Sequence, residues 1–278
     1  VGRSHPRASD GALQWLVANP PPHELPARSK AVVAEQLGTL GSGNHFVELC
    51  LDEQDTVWVI LHSGSRGVGN RLASDHIAVA RLLERGLEDK DLNYFVQGTP
   101  SFDSYIADML WAQKYAFQNR HLIMDAALAD LFRYIQQGAE VVRINCHHNY
   151  AVQEWHDGRL LWVTRKGAIR AEKGDLGLIP GSMGTSSFVV CGRGNPLAYN
   201  SAAHGAGRRM SRGQAKRDFT LESLEAAMEG KSWNKENARS LLDEHPSSYK
   251  DIDQVMADQE DLVEVVHRLR QLVNFKGV

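Results

Sequence analysis

The stretch Thr56-Val-Trp-Val-Ile-Leu61-His62-Ser-Gly-Ser-Arg66-Gly-Val-Gly69 reads as an apolar strand that ends on a histidine. A Gly/Ser turn carrying an arginine follows it. Chemistry tends to sit where a rigid strand hands over to a loop, because the strand fixes the last side chain and the loop leaves it accessible. The same grammar recurs along the chain. Upstream, Gly38-Thr-Leu-Gly-Ser-Gly-Asn44-His45-Phe46-Val-Glu48-Leu49 places glycines before an alternating run, so His45 opens a strand and lies 17 positions before His62. That interval is the length of a strand, a turn and a strand, which lets the two rings share one end of a sheet. Downstream, Glu140-Val-Val-Arg-Ile-Asn145-Cys146-His147-His148-Asn149-Tyr150 predicts a third strand ending in paired histidines. Neighbours on an extended chain point to opposite faces, so one of the two joins any cluster.

Leu160 to Arg170 reads as a further strand with basic residues at its end, and Phe188-Val-Val-Cys-Gly192 as another. Between them, Gly174 to Ser187 is a Gly/Ser-rich loop with many free backbone N–H groups. Residues 71–95 and 103–137 carry apolar side chains at helical spacing, with His76 and His121 read as surface or packing residues. Two more helices are expected at about 220–242 and 251–273, the last with Leu262, Val263, Val265, Val266, Leu269 and Leu272 as its packing face. Residues 1–30, with Pro20-Pro21-Pro22 and only a short apolar patch at 12–17, read as an irregular arm, so the ordered core is expected over 31–278. The expected architecture is one α+β domain. Layered, mostly antiparallel sheets carry the site at their strand ends, and helices pack outside.

Composition narrows the function. With 42% hydrophobic and 23% charged residues the 278-residue chain can bury a core, and no apolar run is long enough to span a bilayer. The net charge of -3 offers no global attraction to nucleic acid, so any such contact needs a local patch. Cys50, Cys146 and Cys191 are too few and scattered for a disulfide framework, which favours a reducing, cytoplasmic setting. The local patch exists. In Ser201-Ala-Ala-His204-Gly-Ala-Gly-Arg208-Arg-Met-Ser-Arg212 a sterically open imidazole precedes clustered guanidiniums, and from Gly205 to Arg217 there are five basic residues and no acidic one. Arginine forks onto phosphate oxygens in pairs, although a solvated helical face reads the same way. Imidazoles at His45, His62, His148 and His204 suit several transition metals. Metal-assisted phosphoryl or nucleotidyl transfer is the hypothesis these residues support.

The segments GTLGSGNHFVEL, LHSGSRGVGN, INCHHNY, TRKGA, IPGSMGTSS and HGAGRRMSR, in this order from about residue 36 onward, closely resemble the RtcB family of RNA ligases. The resemblance implies a GTP- and Mn²⁺-dependent enzyme that joins an RNA 3′-phosphate or 2′,3′-cyclic phosphate to a 5′-hydroxyl, in tRNA splicing or RNA repair. It implies tRNA halves among the substrates and an archease-type activator as a partner. By motif, His204 matches the histidine that becomes guanylylated. His45, His62 and His148 match metal ligands, with His147 behind them. Asn44, Phe46, Glu48, Pro180, Gly181, Ser182, Met183, Ser187, Gly207, Tyr249 and Lys276 match guanylate contacts. Arg66, Arg208 and Arg212 suit RNA or triphosphate oxygens. The family's upstream Asp-x-Gly-Cys motif, which completes two metal sites, is absent from this sequence. The chain is therefore expected to be the C-terminal two-thirds of its parent, and impaired on its own. A metal-dependent phosphohydrolase and a non-catalytic RNA-binding remnant are the competing readings.

Overall fold

A computed structural model describes residues 8–25, 27–83 and 86–277. Its elements in chain order are α1 (Asp10–Ala18), α2 (Ala27–Gln36), β1 (Phe46–Leu51), β2 (Val57–His62), α3 (Arg66–Leu83), α4 (Pro100–Ile135), β3 (Asn149–His156) and β4 (Arg159–Lys166). Then follow β5 (Ala168–Arg170), β6 (Leu176–Ile179), β7 (Ser187–Gly192), β8 (Ser201–Ala203), α5 (Arg212–Asp218), α6 (Leu221–Ala227), β9 (Ser232–Trp233), α7 (Ala238–Leu241), α8 (Ile252–Ala257) and β10 (Val263–Lys276). The α+β class is as expected, with helices and mostly antiparallel pairings. Contacts gather the chain into two compact units, one of residues 1–41 and 63–131, the other of 42–62 and 132–278. Among the described residues no helix is long and apolar enough to cross a membrane.

The first unit is helical. Ala12, Val33, Leu37, Val68, Trp111 and Tyr115 form its core, with Trp15 and Leu16 packed against them. Residues 10–18 are therefore not the irregular arm the proline-rich composition suggests. Ser9 caps α1 by accepting from the Ala12 N–H at 3.2 Å, and the helix buries Ala12 with Trp15 and Leu16 packed beside it. Residues 1–7 of that arm lie outside the described residues. Buried Asn119 on α4 accepts from the Gly38 and Thr39 N–H groups and donates to Ser63 Oγ and the Gly64 carbonyl. One amide thus fastens the loops that flank the β1–β2 hairpin in sequence. His76 is a packing residue, hydrogen-bonded to Asp108 at 2.8 Å and set against Phe95 and Tyr105.

The second unit is built on a sheet of order β2-β1-β10-β7-β6, with β9 pairing β10 in parallel. β10 is its axis. It is 14 residues long, pairs β1 through Phe46↔Lys276 and Glu48↔Asn274, and pairs β7 through Leu269↔Ser187. Sequence periodicity put a helix over 251–273; the helix is only α8, and the rest is this strand. The error has a physical source. The ladder shifts register between Val265 and His267 and again opposite Leu49/Cys50. Such bulges break the two-residue alternation and leave apolar side chains at spacings that imitate a helix turn. The valine-rich composition of the run suits a strand.

Two other expectations are corrected. Residues 140–148 form no strand, and Val141 is 89% exposed; the strand begins only at Asn149. The helix expected over 220–242 is broken into α6, β9 and α7, with Gly230 at φ +73° after the first piece. Between β10 and its neighbours lies a core of Phe46, Cys50, Ile60, Val189 and Leu269. Leu269 is completely buried, so Leu269→Ala is expected to lower unfolding free energy by about 2–5 kcal/mol, read from urea denaturation.

Candidate active site

A short ladder positions the central histidine. β5 and β8 pair antiparallel with Ala168 opposite Ala203, which sets Gly167, just before β5, against His204, just after β8. The His204 Nδ1–H donates to the Gly167 carbonyl at 2.7 Å. A carbonyl only accepts, so the proton sits on Nδ1 and Nε2 keeps its lone pair. Gly167 has φ +70°, and a Cβ there would stand 3.3 Å from the His204 ring. Both facts demand glycine. Burial lowers the His204 pKa, against the raising effect of the Gly167 hydrogen bond, so the ring is neutral at pH 7.

Three more rings continue from it. His148 lies stacked on His204 at 5.1 Å between centroids, His62 is 4.5 Å from His148, and His45 is 6.1 Å from His62. Their placement follows from the strands. His62 ends β2 opposite Phe46 at the start of β1; His148 precedes β3 and its carbonyl accepts the Gly167 N–H at 2.8 Å. Burial, then the charges of His148, His45, His204 and Lys276, hold the His62 pKa well below the usual range. Asn44 Nδ2 lies 3.3 Å from His62 Nε2. His147 instead contacts Tyr150, with ring centroids 5.4 Å apart. Among the described residues no three His, Cys, Asp or Glu side chains converge closely enough to hold a metal ion.

Beside the rings runs a polar network that sequence reading found only in part. Phe46 stacks on His62 with centroids 5.4 Å apart and a 10° interplanar angle, and the Lys276 ammonium lies 5.4 Å from its ring centre. Lys276 donates to Glu244 Oε2 at 2.5 Å, and the Tyr249 hydroxyl donates to the same oxygen at 2.6 Å. Arg212 donates to Glu244 Oε1 and to Asp243 Oδ2, while Arg208 donates to the Tyr249 hydroxyl. Burial works against the Glu244 carboxylate, but Lys276, Tyr249 and Arg212 together lower its pKa. Glu244, Asp243, Gln271 and Asn274 carried no signal in the sequence. In Leu241-Leu-Asp-Glu244-His the acids look like a solvated helix end.

Glu48 on β1 accepts from Asn274 Nδ2 at 2.7 Å. Burial pushes its carboxyl up to about 7, in spite of Gln271, Lys276 and Asn274. The sign of the consequence is fixed. Between pH 4.5 and 7 the native state holds a proton the unfolded state has released, so this group's contribution to stability falls as pH rises through that window. Glu48→Gln is expected to stabilise the fold at pH 8 by on the order of 3 kcal/mol and to change little at pH 4.5, measured by denaturation at both pH values. The buried Asn274 Oδ1 and Arg208 Nη2 have no hydrogen-bond partner. An acceptor and a donor left unspent in a buried setting fit a polar ligand.

The glycine-rich loop after β6 is held in shape. Ser182 N–H donates to Thr185 Oγ1 at 2.7 Å, Gly184 N–H donates to Gln271 Oε1 at 2.7 Å, and a Cβ on Gly181 would strike Thr185 and Ser186. The Pro180 carbonyl accepts from Ala206, two residues past His204. Met183 is buried with Leu224, Met228 and Trp233, so its side chain anchors the loop. Ser187 opens β7. Gly207 has φ +71° and its carbonyl accepts the Lys250 N–H. Arg66 belongs to the first unit; its guanidinium fills the space over Gly41, where a Cβ would overlap it, and Nε donates to Thr39 Oγ1 at 3.1 Å.

Residues 11–277 match the family model described as tRNA-splicing ligase RtcB. The chain is 47% identical to the RNA-splicing ligase RtcB of Escherichia coli K12 over 96% of its own length and 66% of the relative's. It is 35% identical to the RNA-splicing ligase RtcB of Mycobacterium tuberculosis, over 87% of this chain and 65% of that one. To the tRNA-splicing ligase RtcB of Aeropyrum pernix it is 32% identical, over 88% and 60%. The chain thus spans just under two thirds of the length of these relatives.

Proposed function

The chain belongs to the RtcB family of tRNA-splicing ligases, and from that premise we propose that it takes part in GTP-dependent sealing of RNA 3′-phosphate or 2′,3′-cyclic phosphate ends to 5′-hydroxyl ends. His204 is the nucleophile of this reading. The observation that carries it is the tautomer: Nδ1–H is committed to the Gly167 carbonyl, so the Nε2 lone pair is the one available for attack. In the first step Nε2 bonds to the α-phosphorus of GTP, the bond from that phosphorus to the bridging oxygen breaks, and pyrophosphate leaves with the electron pair. The ring becomes cationic, and the Gly167 carbonyl oxygen stabilises the charge that develops at Nδ1–H. Splitting the condensation in this way replaces one hard step with two easier ones.

His45, His62 and His148 would each offer one donor to divalent metal without completing a site among themselves, since among the described residues no three such side chains converge on one point. Their donor chemistry fits, since burial keeps His62 neutral and a neutral imidazole is what Mn²⁺ accepts. The ion would supply positive charge against the triphosphate. Asn44, Phe46, Glu48, the Gly181–Ser187 loop, Gly207, Tyr249 and Lys276 would hold the guanylate, with Lys276 fixed by Glu244 rather than swinging free. Arg208 and Arg212 are tied to Glu244 and its neighbours, so as phosphate ligands they would exchange one anion for another.

The test is joining of two RNA oligonucleotides, one ending in 3′-phosphate and one beginning with 5′-hydroxyl, by the purified chain with GTP and Mn²⁺. Joined product that depends on GTP supports the ligase. Release of phosphate from RNA without joining points to a hydrolase, and salt-sensitive RNA binding without either reaction to a binding remnant.

A further inference from the structure

The β3–β4 hairpin grows directly out of the histidine cluster. His148 precedes β3, Gly167 follows β4, and the two meet at its base through the Gly167 N–H to the His148 carbonyl. Eight residues per strand make it about 23 Å long, at roughly 3.3 Å per residue. The tip is the two-residue turn Asp157-Gly158, both with positive φ, which matches the right-handed twist of a tight hairpin.

Its two faces differ sharply. One carries Tyr150, Glu154, His156 and Arg165, locked together: Arg165 is bidentate to Glu154, and its remaining donors reach Tyr150 Oη, Ser201 Oγ and the Tyr199 carbonyl. His156 Nε2 lies 3.1 Å from Glu154. This face fixes the hairpin to β8, the strand that leads into His204. The opposite face pairs Asn149 with Lys166, Gln153 with Trp162 and Trp155 with Leu160. Along it Lys166, Thr164, Gln153 and Trp155 are exposed, Trp155 by 71%, and no acidic residue is present.

Resting on the ligase reading, we propose that this outward face is a track for the single-stranded RNA segment flanking the reacting end, with an unpaired base stacked on Trp155. Three features select that occupant. The face is continuous with the nucleophile at its base, its one charge is the Lys166 ammonium at that base, and about 20 Å further along it presents an aromatic plane beyond amide and hydroxyl groups. A cation for the backbone near the reacting end and an aromatic plane for a base several nucleotides away are the two kinds of contact by which proteins hold single strands.

The experiment compares wild type, Trp155→Ala and Trp155→Phe for affinity toward a single-stranded RNA 12-mer with a 3′-phosphate, by fluorescence anisotropy. The same RNA as a duplex and GTP labelling of His204 are run alongside. Trp155→Ala is expected to weaken single-strand binding by about 5- to 150-fold. Duplex affinity and labelling should stay within twofold of wild type, and Trp155→Phe should recover most of the loss. Equal single-strand affinity of Trp155→Ala and wild type overturns the inference. So does a parallel loss of duplex binding and labelling, which would make Trp155 structural. Self-association of wild type that disappears in Trp155→Ala with RNA affinity unchanged would assign the face to a second copy instead. If wild type fails to label even with the family's upstream segment restored, the ligase reading falls; if labelling persists and RNA affinity is indifferent to Trp155, only this inference falls.

Discussion

His204→Ala is expected to abolish covalent labelling of the chain by α-labelled GTP, a loss of about 10³-fold or more in the rate of the proposed guanylylation. No other ring can substitute. His148 stacks parallel to His204, and only His204 has its Nδ1–H committed to the Gly167 carbonyl. A denaturing gel after incubation with GTP and Mn²⁺ reads the result; if this chain does not label, the assay is repeated with the family's upstream Asp-x-Gly-Cys segment restored, and a restored chain that never labels would sink the nucleophile assignment. Gly167→Ala is the companion variant. It leaves every titratable group in place but puts a methyl group 3.3 Å from the ring at a backbone φ that disfavours alanine. Labelling should fall there too, through misplacement alone. Because burial lowers the His204 pKa, the labelling rate of wild type should not decline on acidification until below pH 6.5.

Glu244→Ala gives the largest expected loss of stability, about 3–5 kcal/mol. The carboxylate is 1% exposed and takes hydrogen bonds from Lys276, Tyr249 and Arg212. Removing it leaves the Lys276 ammonium, itself 5% exposed, beside the Phe46 ring without its hydrogen-bonded carboxylate, and with only Glu48, whose own ionisation burial opposes, as a remaining acid. Thermal unfolding should drop by about 6–20 °C for a chain of this size. Removing both partners, as in Glu244→Leu with Lys276→Met, should recover part of the loss, since the cost lies in the uncompensated charge. The folded pKa of Glu244 is depressed, so its contribution is present above the ordinary carboxylate range and is lost as pH falls through the folded value.

What the sequence disclosed followed the range of the forces involved. β1, β2, β7 and the α3 and α4 helices were legible, because their periodicity is local and their ends are marked by His62, Gly192 or Pro100. The four histidines could be singled out because strand ends and glycines flank them, and the structure does bring His45, His62, His148 and His204 into one row. β10 was misread, because its bulges arise from pairing with β1 and β7, more than 200 and about 75 positions away. Glu244 was invisible for the same reason. Its importance comes from Lys276, Tyr249 and Arg212 closing around it, and nothing in its own neighbourhood announces that. Arg208 and Arg212 read as phosphate ligands because guanidiniums outnumber acids locally; the acids that hold them come from another segment.

The place of β10 bears on how the molecule is made. Phe46 pairs with Lys276, 276 − 46 = 230 positions later, so β1 leaves the ribosome long before its second neighbour exists. Until then the edge of β1 away from β2 stays open, and β7 likewise waits with only β6 beside it. Open strand edges on a growing chain invite wrong pairings, and closure over so long a span is slow. Assembly of this sheet therefore waits on one event: a segment that follows both hairpins in the chain zips them together and delivers Lys276 to Glu244 in the same motion.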